Sequence, residues 1–382
     1  MKSGAVRSRD GPFVFARVWW TGLSLSIVPA MKYRTRYGIL LAAFISFLPA
    51  HSRAQARWTG GITHVDTVAA PSLRGNLIGD PDWREATVYL PPGYAIEKNR
   101  RYPVIYLLHG FAADHRQFMS GQYQGLNVRV SMDSLIARGV AQRMIVVMPN
   151  ADTFFGGSFF MNSPVTGKWE DFMVRDLVSH VDGKYRTVRS RGGRGIAGHS
   201  MGGFGALRVA MRNPGIYAAV YAMSPCCLAA MDRPERDAGW KAALRVTDRE
   251  DYANAGFTAN LIFALAAANS PNPSRPPLFA DLPFQLDGEN LVPVPEVSVK
   301  WRSGPLAMVP SHLDGLRRMS IAFDAGNADG LTDIPVNVRT LDSLLTAHSV
   351  PHEAEIYDGD HGNRVRSRLE TKVFPFFSRL LR

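Results

Sequence analysis

A serine within Gly198-His199-Ser200-Met201-Gly202 is the residue of this chain with the clearest potential for chemistry. The G-x-S-x-G spacing is typical of a nucleophile elbow, in which a strand enters a strained turn that carries the serine and continues into a helix. A Cβ atom two residues to either side of the serine would collide across that turn, which favours glycine at both positions. Ordinary Gly/Ser turns also match the pattern, so the flanking residues must decide between the two interpretations.

The residues on both sides of this motif favour the elbow. Arg194–Ala197 fits a short buried strand. Apolar residues at helical spacing follow the serine until Asn213-Pro214-Gly215 ends the helix, at Met201, Phe204, Leu207 and Met211. The sequence therefore predicts that Ser200 is a catalytic nucleophile between a strand and a helix.

A serine hydroxyl is a weak nucleophile at neutral pH, so it needs a base to accept its proton and an acid to orient that base. His361 is the best candidate for the base, because it lies in a glycine-flanked loop after the last expected strand. Three aspartates that follow the expected strand Met319–Phe323 are candidates for the acid: Asp324, Asp329 and Asp333. We favour Asp329, since the turn that begins at Gly326 can project its carboxylate away from the strand end, whereas Asp333 fits a helix cap.

Acyl transfer to a serine also needs two hydrogen-bond donors for the oxyanion of the tetrahedral intermediate. We expect the backbone N–H of Met201, next to the nucleophile, to be one of them. The second donor is expected in the loop after an early strand, where Leu107-Leu108-His109-Gly110 leads to the N–H of Phe111. His109 and His199 adjoin these motifs, and we interpret both as backbone elements rather than as bases.

Apolar runs alternate with helical patterns from residue 60 onwards, which indicates a mainly parallel sheet of about eight strands covered by helices. The expected strands are Ile62–Val68, Ala86–Leu90, Val104–Leu108, Met144–Met148, Gly195–Ala197, Ala218–Met223, Met319–Phe323 and Ala354–Tyr357. The expected helices are Val128–Arg138, Trp169–Tyr185, Met201–Arg212, Val336–His348 and Arg364–Leu381, with Pro375 kinking or splitting the last one.

A stretch of roughly ninety residues interrupts this alternation before the late strands, and such a length implies an insertion at about 228–316. Ala238–Val246 and Thr258–Ala268 predict two helices in its first half. Nine prolines between Pro271 and Pro310 exclude long regular structure from the second half. Two interpretations stay open: a cap over the serine, and a surface excursion unrelated to catalysis.

Several longer motifs resemble the esterase D family of α/β-hydrolases from about Thr87 to the C-terminus, apart from the insertion. They are Leu90-Pro91-Pro92-Gly93-Tyr94, the run from Tyr102 to Gly110, the run from Gly198 to Ala206, and Gly359-Asp360-His361. The family includes feruloyl and acetyl-xylan esterases, S-formylglutathione hydrolases, enterochelin esterases and mycolyltransferases. The resemblance implies an α/β-hydrolase fold with Ser200, Asp329 and His361 as the triad and with Phe111 and Met201 as the oxyanion donors.

The front end of the chain resembles an exported precursor. A basic stretch begins at Met31, an apolar run follows over Gly38–Leu48, and Ala54-Gln55-Ala56 fits a signal-peptidase site. We therefore expect residues 1–56 to be an upstream extension plus a signal peptide whose true start is Met31. Residues 57–382 would then form the hydrolase domain, secreted or periplasmic and without a stable membrane anchor; a retained single-pass anchor is the alternative.

The net charge of +11 does not indicate a nucleic-acid partner, because residues 1–56 carry +7 of it and leave only +4 on the rest of the chain. Cys226 and Cys227 are the only cysteines, and we interpret them as small buried thiols at a strand end rather than as a redox device. We expect no cofactor and no metal ion at the site.

These observations predict a secreted serine ester hydrolase that acts on a small-molecule or saccharide-linked ester through an acyl-enzyme. Two alternatives remain. One is an acyltransferase, in which a sugar or lipid hydroxyl replaces water, and the other is a binding protein without activity on a hydrolase scaffold.

Overall fold

The computed structural model describes residues 60–229 and 237–382, so the predictions made for residues 1–56 lie outside the described residues. Within these ranges the strands are, in chain order, β1 (Ile62–Ala69), β2 (Trp83–Leu90), β3 (Val104–Leu108), β4 (Ile145–Pro149), β5 (Asn162–Ser163), β6 (Gly167–Lys168), β7 (Arg194–His199), β8 (Ala219–Met223), β9 (Phe284–Asp287), β10 (Asn290–Pro293), β11 (Ser320–Gly326) and β12 (Glu353–Tyr357).

The same ranges contain thirteen α-helices. They are α1 (Val128–Ala137), α2 (Trp169–Asp171), α3 (Leu177–Lys184), α4 (Met201–Arg212), α5 (Asp237–Leu244), α6 (Arg249–Asn254), α7 (Phe257–Asn269), α8 (Pro295–Ser298), α9 (Pro305–Met308), α10 (Leu313–Leu316), α11 (Asp333–Ala347), α12 (Val365–Arg368) and α13 (Phe374–Leu380).

Eight of the strands make one mixed sheet in the order β1-β2-β4-β3-β7-β8-β11-β12. The β1–β2 and β2–β4 pairs are antiparallel, and all other pairs are parallel. Strands β3, β4 and β8 are buried along their whole length, which explains why their sequences are continuous apolar runs rather than alternating patterns. The expected sheet of about eight mainly parallel strands is confirmed.

Alternate residues of β3 enter two separate apolar cores, one on each face of the sheet. Tyr106 and Leu108 pack in the core that includes residues of α3, α4 and α11, whereas Ile105 and Leu107 pack in the core that includes residues of α1 and α13. This period of two is the geometry of a strand whose side chains point to opposite faces. Helices therefore cover both faces of the sheet, as in other α/β folds.

Two of the long helices contain a π-helical turn. Phe172–Asp176 joins α2 to α3, and Leu369–Val373 joins α12 to α13. Pro375 lies in the first turn of α13, immediately after the second π-helical turn. Proline has no N–H to donate to the preceding turn, so the interruption predicted at Pro375 is confirmed and takes the form of a widened turn.

The described part of the insertion contains α5 to α10 and a two-stranded hairpin of β9 and β10. Helices α5 and α7 match the two that the sequence predicts. Helices α8, α9 and α10 have four residues each, and α8 and α9 begin with a proline, which is favourable at a helix start. Helix α6 and the hairpin are not among the elements that the sequence predicts.

Candidate active site

The elbow serine has a strained backbone conformation. Ser200 lies between the end of β7 and the start of α4, with φ 57° and ψ −118°. Its N–H donates a hydrogen bond to the carbonyl of Met223 at the end of β8, at 3.0 Å. Such a conformation costs on the order of 1–3 kcal/mol for a residue with a side chain, and strain of this kind is concentrated at functional sites.

The two glycines of the motif are sterically required. A Cβ atom on Gly198 would lie 2.2 Å from the carbonyl oxygen of Gly202, which is the collision across the turn that the sequence predicts. A Cβ atom on Gly202 would lie 2.1 Å from the carbonyl oxygen of Leu108 and 2.7 Å from that of His109. The absence of a side chain at Gly202 therefore allows the elbow to pack directly on the end of β3, where the expected oxyanion loop begins.

His361 and Asp329 form a direct hydrogen bond. The Nδ1–H of His361 donates to Oδ2 of Asp329 at 2.7 Å. The other carboxylate oxygen of Asp329 accepts the N–H of Leu331 at 2.9 Å, and the side chain of Asp329 is fully buried. With Nδ1 carrying a hydrogen, Nε2 of neutral His361 has a free lone pair that can accept a proton.

Backbone contacts hold the two loops that carry this pair together. The N–H of Asn327 donates to the carbonyl of Tyr357 at 2.8 Å, and the N–H of Ala328 donates to that of Gly359 at 2.9 Å. The expected turn is also present, since the N–H of Asp329 donates to the carbonyl of Gly326 at 3.4 Å. The loop after β11 is therefore fastened to the loop after β12, and this brings Asp329 to His361.

The two other aspartates considered for the acid have different surroundings. Asp324 is fully buried, and its Oδ2 accepts hydrogen bonds from the Tyr221 hydroxyl and from Nε of Arg368, both at 2.8 Å. Burial raises the pKa of the Asp324 carboxyl, although the Arg368 guanidinium opposes that effect. Asp333 is the first residue of α11, one position after the N-cap Thr332. The expectation that Asp333 caps this helix is therefore wrong by one residue, and its charge lies in the first turn, where the helix dipole favours it.

His199, the residue before the serine, connects the elbow to the histidine loop. Its Nε2–H donates to the backbone carbonyl of His361 at 2.7 Å, and its Nδ1 accepts the Tyr123 hydroxyl at 3.0 Å. The two imidazole rings lie 4.7 Å apart. Burial and the neighbouring His361 lower the pKa of His199 to about 3, so the ring is neutral and this pattern of one donor and one acceptor is the consistent one.

These side-chain contacts differ from the interpretation of His199 as a backbone element. Tyr123 lies 76 residues away in the chain. No local pattern marks such a partner. The only available signal was the presence of a second histidine inside the serine motif.

His109 fixes the loop that follows β3. Its Nδ1–H donates to the carbonyl of Gly110, and its Nε2 accepts the N–H of Ala151, both at 2.8 Å. Burial lowers the pKa of His109 to about 4, which keeps the ring neutral. The N–H of Ala112 donates to the carbonyl of Gly156 at 2.8 Å, so this loop is also fastened to the loop after β4.

The residues expected to supply the oxyanion donors lie around the same point. A Cβ atom on Gly110 would lie 3.6 Å from the Cβ of Ser200. A Cβ atom on Gly157 would lie 2.4 Å from Sδ of Met201 and 3.2 Å from the ring of Phe111. The structure therefore brings Phe111 and Met201 close to each other beside the elbow.

Cys226 and Cys227 are both buried just after β8, and no disulfide joins them. Their Sγ atoms lie 2.9 Å apart. In the part of the chain that the structure describes, no group of three or more His, Cys, Asp or Glu side chains is arranged to hold a metal ion. The same residues contain no helix with the length and hydrophobicity to cross a membrane.

Comparisons with known families and proteins give a consistent result. The family model described as "Esterase: Putative esterase" matches residues 82–367. An esterase of Mycobacterium tuberculosis is 33% identical over 136 residues, which cover 34% of this chain and 26% of that protein. An endo-1,4-beta-xylanase/feruloyl esterase of Xylanibacter ruminicola is 32% identical over 158 residues, which cover 37% of this chain and 20% of that protein. The chain thus spans about a quarter or less of the length of these two relatives.

Solved structures show the same fold at low sequence identity. A ferulic acid esterase matches with a TM-score of 0.58 and 23% identity, covering 84% of this chain and 99% of that one. An S-formylglutathione hydrolase from Agrobacterium tumefaciens matches with a TM-score of 0.56 and 18% identity, covering 85% of this chain and 96% of that one. The predicted α/β-hydrolase fold is confirmed.

Proposed function

The chain belongs to the esterase family, and from that membership we propose that it hydrolyses carboxylic esters through an acyl-enzyme formed on Ser200. The observation that carries this proposal is the 2.7 Å hydrogen bond between Nδ1 of His361 and the buried carboxylate of Asp329. It leaves Nε2 as the proton acceptor, and His199, the residue before the serine, holds the backbone carbonyl of His361 by a hydrogen bond. A base without this orientation would spend much of its time in the wrong tautomer.

In the first half of the reaction, Nε2 of His361 accepts the proton of the Ser200 hydroxyl while Oγ attacks the ester carbonyl carbon. The carbonyl oxygen becomes an oxyanion, and the backbone N–H groups of Phe111 and Met201 donate hydrogen bonds to it. Asp329 stabilises the imidazolium form of His361. When the tetrahedral intermediate collapses, His361 donates its proton to the departing alkoxide, so an alcohol leaves and the acyl group stays on Ser200.

The second half repeats these steps with water in place of the serine. His361 removes a proton from the water molecule, the hydroxide attacks the acyl-enzyme carbonyl, and the same two N–H groups bind the new oxyanion. His361 then returns the proton to Oγ of Ser200, and a carboxylic acid leaves. Each step uses only side-chain and backbone groups of this chain, so no cofactor enters the proposed mechanism.

The proposed substrates are small-molecule or saccharide-linked esters, and the proposed compartment is extracellular or periplasmic. The named relatives support the first point, since one is a ferulic acid esterase and another is an endo-1,4-beta-xylanase/feruloyl esterase. The second point rests on the signal-like sequence that begins at Met31. N-terminal sequencing of the exported protein should find Arg57 or a neighbouring residue at the start, and a mature protein that keeps Lys2 would refute the cleavage.

The test of the activity compares the wild type with Ser200→Ala on short and long acyl p-nitrophenyl esters and on methyl ferulate. We expect the variant to lose about 1000-fold or more in kcat with its melting temperature largely unchanged, because only the nucleophile is removed. Labelling by an organophosphonate at Ser200 provides a readout that is independent of the substrate. If the wild type labels at Ser200 but hydrolyses no ester, hydrolysis is refuted and acyl transfer to a hydroxyl acceptor becomes the better explanation.

A further inference from the structure

Helix α7 of the insertion is anchored on the loop and short strand that follow β4. The Ser163 hydroxyl donates to the carbonyl of Ala267 at 2.5 Å. The ring of Phe263 stacks on Phe155 with a centroid separation of 6.4 Å and an interplanar angle of 13°. These contacts fix the position of α7 relative to the loop after β4, to which the Phe111 loop is itself hydrogen-bonded.

Helix α6 strengthens this attachment. The ring of Tyr252 lies 5.1 Å from Phe154 and 5.3 Å from Phe155. The guanidinium of Arg249 lies 4.6 Å over the ring of Phe154 and also donates to the carbonyl of Ile78 at 3.1 Å. The insertion is therefore packed on the hydrolase body beside the oxyanion loop.

The first residue of α7 carries a large apolar side chain that the fold does not bury. Phe257 is 58% exposed, whereas Leu261, Phe263 and Leu265 of the same helix are buried. Its ring meets the half-buried Phe111 edge to face, with centroids 5.4 Å apart and an interplanar angle of 77°. The two rings lie at the residue whose N–H we assign to the oxyanion, and aromatic side chains around a few polar groups are the usual lining of a small-molecule site.

The strand order determines which part of an ester these two rings would meet. Strand β7 carries the serine, with β3 and the Phe111 loop on one side of it and β8, β11 and β12 on the other. The departing alcohol oxygen must lie next to His361, which follows β12, because that histidine protonates it. The oxyanion binds the N–H groups of Phe111 and Met201, so the acyl substituent is the remaining group of the tetrahedral carbon and the one that can extend past the Phe111 ring.

We propose that Phe257 is a specificity-determining residue that, together with Phe111, contacts a long-chain or aromatic acyl group of the substrate. This inference rests on the proposed function, since it assumes an acyl-enzyme on Ser200. It assigns the insertion a role in substrate selection through one side chain at the start of α7. An acetyl group has only one carbon beyond the carbonyl and offers little apolar surface to the two rings, so we expect Phe257 to contribute little to the hydrolysis of acetate esters.

The experiment compares p-nitrophenyl acetate with p-nitrophenyl octanoate, which share a leaving group and differ only in the acyl part. We expect Phe257→Ala to lower kcat/KM for the octanoate about tenfold, mainly through KM, because an aromatic contact of this kind contributes roughly a factor of ten. The acetate should change by less than about twofold, and Phe257→Tyr, which keeps the ring, should behave like the wild type. Leu286→Ala, at a 39% exposed residue of the same insertion, is the control and should affect neither substrate.

A third substrate, octyl acetate, carries the long chain on the alcohol side instead. Three results would overturn the proposal: equal losses on the acetate and the octanoate, no loss on either, or a loss confined to octyl acetate. The last result would place the two rings on the alcohol side. Ser200→Ala distinguishes these failures from a failure of the proposed function. If Ser200→Ala abolishes ester hydrolysis and Phe257→Ala leaves it unchanged, only the specificity role is refuted. Melting temperatures of all variants show whether a loss of activity reflects unfolding.

Discussion

Two buried aspartates on or just after β11 have different partners, and the same substitution should therefore reduce activity at one of them and stability at the other. Asp329 accepts the Nδ1–H of His361, whereas Asp324 lies between Arg368 and Tyr221. We expect Asp329→Asn to lower kcat by about a thousandfold, because the amide no longer stabilises the imidazolium and can favour the wrong tautomer. We expect Asp324→Asn to keep most of the activity per folded molecule and to lose about 3 kcal/mol of unfolding free energy, because Arg368 loses its buried counter-ion.

Steady-state kinetics and urea unfolding of both variants check this pair of expectations, and each variant is the control for the other. Full activity of Asp329→Asn would refute its assignment as the acid. A large loss of kcat in a well-folded Asp324→Asn would transfer that assignment to Asp324.

Tyr123 offers a second test at the scale of single residues. Its hydroxyl donates to Nδ1 of His199, whose Nε2–H holds the carbonyl of His361. We expect Tyr123→Phe to lower kcat about fivefold with little change in KM, because one hydrogen bond of about 1 kcal/mol that positions the base is lost while the ring remains. An unchanged kcat would show that His199 holds its orientation without this hydroxyl.

The contrast between these residues shows what the sequence could predict about the site. Ser200, Asp329 and His361 can be predicted as candidates from the sequence, because each follows a recognisable strand and lies in a turn rich in glycine. The ion pair of Asp324 cannot, because its partner Arg368 is 44 residues further along the chain and meets it only after β11 and α12 have packed. Side-chain partners that come from distant elements leave no local pattern.

At the scale of elements, the elbow depends on the close approach of the start of α4 to the end of β3. A Cβ atom on Gly202 would meet the carbonyl oxygen of Leu108 at 2.1 Å, so Gly202→Ala must separate α4 from the end of β3. We expect this variant to lose at least about 3 kcal/mol of unfolding free energy, or to accumulate unfolded. Gly183→Ala in α3 is the matched control, because a Cβ atom there meets nothing within 4 Å and should stabilise the helix by about 0.5–1 kcal/mol.

Denaturant unfolding of the two glycine variants gives the comparison directly. Wild-type stability of Gly202→Ala would mean that α4 can shift away from β3 without cost, which contradicts the close packing of the elbow. A destabilised Gly183→Ala would show that the helix position itself is intolerant.

Elements were predicted well where local propensity and tertiary packing agree. Strand β3 and helix α4 have the bounds that the sequence predicts, because an uninterrupted apolar run and a regular helical stripe each end at clear turn signals. The hairpin of β9 and β10 was missed because Pro293 occupies its last residue and the surrounding prolines pointed away from regular structure. Its pairing consists of four residues on each side, too few to produce a readable alternation.

At the scale of the whole molecule, the sequence predicted the fold but left the placement of the insertion open. The two interpretations, a cap and an unrelated excursion, differ in long-range contacts alone, and the sequence of α6 and α7 does not reveal which loop they meet. The described contacts of Tyr252, Phe257 and Phe263 with the loops after β3 and β4 favour a role next to the site.

Two buried neutral histidines couple the stability of the entire fold to pH. Burial lowers the pKa of His109 to about 4, and burial with the neighbouring His361 lowers that of His199 to about 3. In the unfolded chain both side chains bind a proton near their ordinary pKa of about 6.5. Below that pH the unfolded state holds more protons than the folded state, so stability is complete above about pH 6.5 and falls as the pH is lowered.

We therefore expect the unfolding free energy to fall by about 1 kcal/mol per pH unit for each histidine between about pH 6.5 and pH 5. Glu355 adds to the loss only at lower pH, because hydrogen bonds from Arg368 lower its pKa to about 2 from an ordinary value of 4.5. Urea unfolding at pH 7, 6 and 5 measures how steeply the unfolding free energy falls with pH in the range where the two histidines act.

His199→Gln, which keeps a donor for the carbonyl of His361 but cannot bind a proton, should have about half the wild-type slope, whereas His64→Gln at an exposed position should leave it unchanged. A wild-type stability that is flat from pH 7 to pH 5, or a His199→Gln profile parallel to that of the wild type, would contradict the assignment of a neutral buried His199.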